Sequence, residues 1–557
     1  MGEVMSQTQR YDVVIDEIMS RPSPRVGLPM VKWIELKNTS AVTINLLGWR
    51  LGRGNIQSGY FPAYLLKPDS FVIVCAAASA SVMAAFGPAI SVTRFPALNI
   101  SGELIYLLSP ENKVIHSVQY ADSWYQDELK KAGGWTLEMI DTKNPCSGII
   151  NWKASKDIKG GTPGKKNSIN GINSDRTSPR LLQAFASDSL HVTLLFDEPL
   201  DSLKGATVNN YSISDGIGAP QSAVVVAPVF NRVRMKLQVP ISRDKVYTVT
   251  ASVITDCAGN IIGSKNHAKF GITSAADSLN VVINEVLFNP LPGGVDYVEL
   301  YNRSEKILNA KHLYVANRNS SGIISAITPI STDSLLFFPG DYLLISIDPL
   351  EVMRQYVTLN PDAFLALSSM PSFPIDKGDV IILNMQGKII DEVKYSDKWH
   401  FQLIANTQGV SLERIDYNGP SIAENFHSAA TSVGFGTPGY KNSQSWPEAQ
   451  ASGDISVSPE VFSPDNDGVD DFANIDYHFP TPGFMANITV YDANGRPVRY
   501  LQRNALCGTK GVYRWDGLGD KMQKLPVGIY IIVSEVFDTN GRTRQFKNYV
   551  VLARRLG

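Results

Sequence analysis

Three closely spaced aspartates offer the clearest metal chemistry in the chain. Asp465, Asp467 and Asp471 form the pattern Asp-x-Asp-Gly-x-x-Asp, with Gly468 permitting the sharp bend between them. Calcium takes six to eight hard oxygens at about 2.3–2.6 Å, and such a loop supplies several. The bidentate glutamate of a complete EF-hand loop is missing, so a calcium here would be structural. The competing reading is an acidic turn whose aspartates cap their own backbone amides.

Carboxylates recur elsewhere in pairs. Glu17 and Glu285 follow matching apolar runs, and Glu35 and Glu299 lie in matching strand patterns. Paired carboxylates suit general acid–base work. Their duplication favours a role in the fold, in which mid-strand carboxylates meet basic groups or backbone amides. The Thr-Pro-Gly stretches Thr162–Gly164 and Thr437–Gly439 read as closures: proline fixes φ, and glycine takes a conformation other residues avoid. The seven histidines are scattered without a His-x-x-x-His pair. No Gly-x-Ser-x-Gly elbow or phosphate loop ending in Lys-Ser/Thr is present. These features contain no catalytic constellation and predict a protein that is not an enzyme, with no bound cofactor beyond a structural calcium.

The elements that position these residues come twice. Gly-Thr-Pro-Gly-Lys-Lys-Asn-Ser at 161–168 returns as Gly-Thr-Pro-Gly-Tyr-Lys-Asn-Ser at 436–443. Trp124/Trp399, Glu138/Glu413 and Asn167/Asn442 share the same offset of 275. Earlier, Glu35/Glu299 are 264 apart, so the second copy carries extra residues in its middle, as surface loops allow. The first copy predicts strands at 13–15, 32–38, 46–51, 71–75, 104–108 and 114–120. Within 32–38, Trp33, Glu35 and Lys37 alternate with Ile34 and Leu36. The second copy predicts strands at 281–286, 296–302, 342–345, 380–383 and 389–395.

Many short Val/Ile/Tyr-rich runs among 43 glycines and 32 prolines predict an all-β chain. A net charge of −2 argues against nucleic acid, although the first copy is net positive and the second net negative. No run of eighteen apolar residues suggests a transmembrane helix. Residues 1–10 lack the apolar core of a signal peptide. That leaves either a cytoplasmic protein or a leader lying outside this sequence. Cys75, Cys146, Cys257 and Cys507 match no zinc spacing. Only Cys75 and Cys146 share a domain, and buried free thiols are the expectation.

The strand–loop–(Trp/Tyr)-hydrophobic-Glu-Leu-x-Asn opening and the Gly-Thr-Pro-Gly ending resemble the lamin tail domain, an immunoglobulin-like sandwich. Between the copies, Phe196-Asp197-Glu198-Pro199-Leu200 and the Asp256-x-x-Gly259-Asn260 turn resemble bacterial Ig-like domains of surface-layer proteins. The last segment, with Trp515-Asp516-Gly517 and Tyr530, resembles hook-cap and gliding-motility-type C-terminal Ig domains of exported Bacteroidota proteins. It departs from sorting domains at Asp492–Gly495, where an Arg-Trp-Gly turn is usual. The resemblances imply four serial sandwiches: 11–172 and 279–445 (lamin-tail-like), 178–275 (Ig-like) and 454–557 (C-terminal Ig-like).

They also imply a modular scaffold of the cell envelope, periplasmic or at the cell surface, with protein partners, as an accessory subunit of a type IX secretion or gliding assembly. Two alternatives stand beside it. One is a secreted type IX cargo or adhesin. The other is a carbohydrate- or nucleic-acid-binding accessory, for which Trp49, Tyr60, Trp124 and Trp399 are the aromatic platforms to test. Residues 171–177 and 443–453 read as linkers.

Overall fold

The computed structural model describes residues 8–446 and 453–554, and the fold is all-β. Residues 1–7, part of the leader question, and the Arg555 end lie outside the described residues. The chain divides into two compact units, Met1–Ile272 and Thr273–Gly557. Among the described residues no helix is long and apolar enough to cross a membrane.

In the first unit, one six-stranded sheet runs in the order Trp152–Ala154, Leu137–Met139, Val13–Met19, Trp33–Asn38, Phe71–Ala76, Ala89–Val92. It faces a four-stranded sheet of Val114–Ala121, Gly102–Leu108, Arg50–Arg53 and Ile56–Gln57. Val14, Ile34, Leu36, Leu51, Ile105 and Val118 fill the core between them. The Ig-like segment adds a four-stranded sheet (Leu181–Ala186, His191–Phe196, Arg232–Lys236, Ser222–Val225) and a three-stranded one (Tyr211–Ile213, Tyr247–Ala251, His267–Phe270). Its strand Arg232–Lys236 alternates exposed Arg232, Arg234 and Lys236 with buried Val233 and Met235, the pattern of a half-solvated sheet.

The second unit repeats the first six-stranded order in Phe426–Ser428, Leu412–Arg414, Val281–Leu287, Tyr297–Asn302, Tyr342–Ser346 and Phe364–Ala366. Its last sandwich pairs Asp454–Ser458, Ala473–His478 and Lys510–Trp515 against a five-stranded sheet whose longest strands are Gly528–Phe537, Thr543–Leu552 and Pro497–Leu506. Trp515 and Tyr530 are buried in its core, edge to face.

Strand register locates the extra residues of the second copy. Equivalent positions are 264 apart at Glu35/Glu299, 271 apart at Ile73/Leu344 and 275 apart at Ala89/Phe364. The first step lengthens the hairpin Leu313–Arg318/Ile324–Pro329. The second replaces the short helix Ala80–Met83 with Pro349–Gln355. Both insertions leave the six-stranded sheet intact, as connections outside a core can.

Several expectations are corrected. Residues 46–48 form a turn ending at Gly48 (φ +80°), and the strand begins at Arg50. The alternation in Trp33–Asn38 does not mark a solvated face, because both faces of that strand are buried. One packs into the core; the other lies under the Gly-Thr-Pro-Gly tail and a small cluster of Met19, Leu28, Trp33, Cys75 and Met83. The linker expected at 443–453 starts later. Ser443, Gln444 and Ser445 are buried, and residues 447–452 lie outside the described residues.

Candidate functional site

The duplicated glutamates and the duplicated tails meet in each copy. In the first, Thr162 N–H donates to Glu17 Oε1 at 2.8 Å, Thr162 Oγ1 donates to Glu138 Oε1 at 2.9 Å, and Gly164 N–H donates to Glu35 Oε2. In the second, Thr437 N–H donates to Glu285 Oε1 at 3.0 Å and Gly439 N–H to Glu299 Oε2 at 2.5 Å. Gly164 and Gly439 lie at φ +78° and +87°. A Cβ on Gly164 would meet Phe86 O at 2.7 Å and Gly87 Cα at 2.8 Å. The tail therefore crosses the outer face of the sheet as a strap, and these carboxylates are its anchors. Thr437 Oγ1 lies 2.8 Å from both Glu285 Oε2 and Glu413 Oε1. One hydroxyl proton serves one of them, so the other contact needs a protonated carboxyl. Burial, then the charge of Glu285, pushes Glu413 up to about 8. These buried acids are held by the tail in both copies.

Each copy also has a β-bulge after the third residue of its first strand, at Ile15/Glu17 and Ile283/Glu285. The bulge frees an amide that needs an acceptor. In the first copy, His116 Nδ1 accepts from Ile15 N–H at 2.8 Å, and Nε2 donates to Pro145 O at 3.2 Å. Burial pushes this imidazole down to about 4, so it is neutral. In the second, Asp391 Oδ2 accepts from Ile283 N–H at 2.8 Å and pairs with Arg414 Nη2 at 2.9 Å, both fully buried. Ser421 Oγ donates to Asp391 Oδ1 at 2.5 Å. At the offset of 275, His116, Met139 and Cys146 replace Asp391, Arg414 and Ser421. One copy solves the bulge with a neutral ring, the other with an ion pair.

Cys146, freed from the serine's task, forms a disulfide with Cys257. This corrects the expectation that a bridge could only lie within one domain: the bond joins the first sandwich to the Ig-like one. Cys75 and Cys507 are buried free thiols. The same joint holds Arg10, whose Nη1 donates to Leu200 O at 2.8 Å and Ser202 Oγ at 2.9 Å. Its guanidinium lies 3.6 Å over the Phe230 ring. Two clefts line this joint, one of about 170 Å³ beside Arg10, Trp124, Trp152 and Glu198 and one of about 380 Å³ beside Tyr11, Lys143 and Cys257. In the second unit the joint is polar. Gln444 Nε2 donates to Ser428 O and Cys507 O, Thr509 N–H donates to Ser443 O at 2.9 Å, and Ser432 Oγ lies 2.7 Å from Tyr477 Oη.

The acidic loop does gather Asp465, Asp467 and Asp471, with ligand atoms within 4.8 Å of one another. Asp471 accepts from Asn466 N–H at 2.6 Å and Gly468 N–H at 3.0 Å, and Asp467 accepts from Val469 N–H. These carboxylates cap backbone amides within the loop. A second set, Asp175, Glu198 and Asp256, meets in the same way. It escaped sequence reasoning because its members come from a linker, a strand end and a distant turn, with no linear spacing. Burial, then Asp256, pushes Glu198 up to about 8. The aromatic platforms resolve unevenly. Trp49 is 2% exposed and belongs to the core. Trp124 packs on Trp152 and Trp399 on Phe426. Tyr60 is 68% exposed, with the Arg50 guanidinium 5.0 Å from its ring centre.

Residues 6–122 match the Lamin Tail Domain model. The described part of the match lies in the first sandwich, and the second copy repeats its six-stranded order. No curated protein matches the chain. Among solved structures, the N-terminal part of the bacterial S-layer protein SbsC is 19% identical, over 30% of this chain and 45% of that one, with a TM-score of 0.17. A DUF4876 family protein from Bacteroides thetaiotaomicron is 11% identical over 42% and 96%, TM-score 0.19. A tetra-tandem repeat of a large adhesion protein is 10% identical over 97% and 98%, TM-score 0.13. This chain spans less than half the length of the SbsC fragment.

Proposed function

We propose that this chain is a non-catalytic scaffold of the bacterial cell envelope, presenting sandwich faces and strand edges to protein partners as an accessory subunit of a type IX secretion or gliding assembly. The observation that carries this reading is the construction of the joints. The lamin tail domain is bonded covalently to the Ig-like sandwich through Cys146–Cys257, and its repeat is locked to the last sandwich through Gln444 and Thr509. Fixed joints serve a protein that holds partners at set positions. A disulfide between domains also suits an oxidising compartment, periplasmic or extracellular. The buried carboxylates that might have suggested chemistry are occupied by the straps.

The test is isolation of the tagged full-length protein from native envelopes in mild detergent, with co-purifying proteins identified by mass spectrometry. A stoichiometric envelope complex with the last sandwich retained supports the scaffold. A free protein lacking residues beyond about 454 contradicts it and identifies exported cargo or an adhesin.

A further inference from the structure

The two copies differ at one buried position beneath the strap. In the second, Asn284 occupies the bulge, and its Nδ2 donates to Glu299 Oε1 at 2.8 Å and to Asn442 Oδ1 at 2.7 Å. In the first copy the same bulge position is Asp16, in the same register against Glu35. Asp16 and Glu35 are both buried, and Asp16 Oδ1 and Glu35 Oε1 have no hydrogen-bond partner. Asn167 Nδ2 still reaches Asp16 O, as Asn442 Nδ2 reaches Asn284 O, so the frame around the exchange is preserved. An amide brings its own donor to the glutamate; an aspartate brings one only if it holds a proton. Two ionised carboxylates under one strap, Asp16 unpartnered at Oδ1 and Glu35 held at Oε2 alone by Gly164 N–H, would both be costly to bury.

We propose that the first lamin-tail-like sandwich carries a structural proton, held by Asp16 and shared with Glu35, that its repeat replaces with the amide of Asn284.

The surroundings favour the neutral form. Glu17 lies on the same strand, Glu35 on the neighbouring Trp33–Asn38 and Glu138 on Leu137–Met139; burial pushes Glu17 and Glu35 upward as well, and any charge on the three opposes a charge on Asp16. Lys37 is the one nearby cation among the described groups acting on Asp16, and it is also drawn outward: its Nζ lies 3.8 Å from Asp69 and over the Phe71 ring. His116, packed against Ile15, is neutral, and Cys75 on Phe71–Ala76 is a buried thiol. From the tail, Thr162 and Gly164 donate to Glu17 and Glu35, Ser168 and Ile169 donate to Glu138, and Asn167 donates to the bulge. Burial pushes Asp16 up to about 7. A folded-state pKa above the unfolded one stabilises most below the unfolded value, near 4. The advantage declines as pH climbs toward about 7 and is gone above it, so the strap of the first copy loosens as acid conditions turn neutral.

The experiment compares full-length wild type with Asp16→Asn by hydrogen exchange of peptides spanning 13–19 and 161–168, at pH 5 and pH 8, after correction for intrinsic rates. Peptides spanning 281–287 in the same molecules serve as reference. Between these pH values, the opening equilibrium of wild type should rise about a hundredfold more than that of Asp16→Asn, while the reference strand behaves alike in both. Asn284→Asp should install the same dependence in the second copy and provides the test if Asp16→Asn folds poorly. A difference below about threefold in either variant, or a uniform loss of protection in Asp16→Asn at both pH values, overturns the proposal; the second result would mean that Asp16 is ionised and paired with Lys37.

Discussion

Replacing Arg414 by methionine, the residue its counterpart Met139 already is, should damage the second copy far more than a surface change would. Arg414 is buried and donates to Asp391, Ile283 O, Gly419 O and Ser421. Removing it strands the Asp391 carboxylate without its cation, and breaking a buried pair in this way costs about 3–5 kcal/mol. For a unit of this size that corresponds to a drop of roughly 10 °C in melting temperature. The first copy supplies the remedy. Asp391→His in the Arg414→Met background recreates the His116/Met139 pair. The new ring would accept from Ile283 N–H and find Pro420 O at the position of Pro145 O. The double variant should recover at least about half of the loss, a coupling of about 2 kcal/mol. Calorimetry of the full-length variants reads this directly, since only transitions of the second unit should move. A loss below about 1 kcal/mol for Arg414→Met, or no recovery on adding Asp391→His, would refute the reasoning that the two sets are alternative solutions to one bulge.

Further outcomes follow from the same geometry. The Glu413 carboxyl, raised from 4.5 to about 8, should make the second unit most stable below about pH 4.5 and progressively less so up to about pH 8, seen as a falling melting temperature over that window. Gly164→Ala, at positive φ and against Phe86 O, should cost about 1–3 kcal/mol in the first unit by the same calorimetry. Reducing Cys146–Cys257 should expose residues 171–177 to limited proteolysis while both flanking sandwiches survive as fragments. If calcium binds Asp465, Asp467 and Asp471, millimolar calcium should raise the melting of the last sandwich, and Asp467→Asn should abolish the rise; equal melting with and without calcium would leave the loop as an amide-capped turn.

Much of the fold was legible because apolar runs and the repeat are local or exact features of the chain. The Gly-Thr-Pro-Gly closures read correctly, since proline and glycine announce backbone geometry without needing a partner. The all-β class follows from strand patterning, and the burial of Trp515 and Tyr530 agrees with the Ig-domain resemblance of the last segment. What a strand packs against is not local. Trp33–Asn38 alternates as a half-solvated strand would, yet the tail, more than a hundred residues on, covers its second face. Trp49 looks like a platform in sequence and is a core residue because the turn at Gly48 aims it inward. The Cys146–Cys257 bridge spans 111 positions and two sandwiches, so no spacing rule could find it. The Asp175, Glu198 and Asp256 cluster was hidden for the same reason. Comparing the two copies recovers part of this: His116/Asp391, Met139/Arg414 and Cys146/Ser421 change together because they share one buried site.

The Cys146–Cys257 bond joins the lamin-tail-like first sandwich to the Ig-like one, and the proposed scaffold and its proposed oxidising compartment depend on it. The most direct test is acid quenching of native cells, alkylation of free thiols and mass spectrometry of the peptides carrying Cys146 and Cys257. A disulfide-linked pair, with Cys75 and Cys507 alkylated after denaturation, is the predicted result. Alkylated Cys146 and Cys257 in the native protein would contradict both the fixed joint and the exported scaffold built on it.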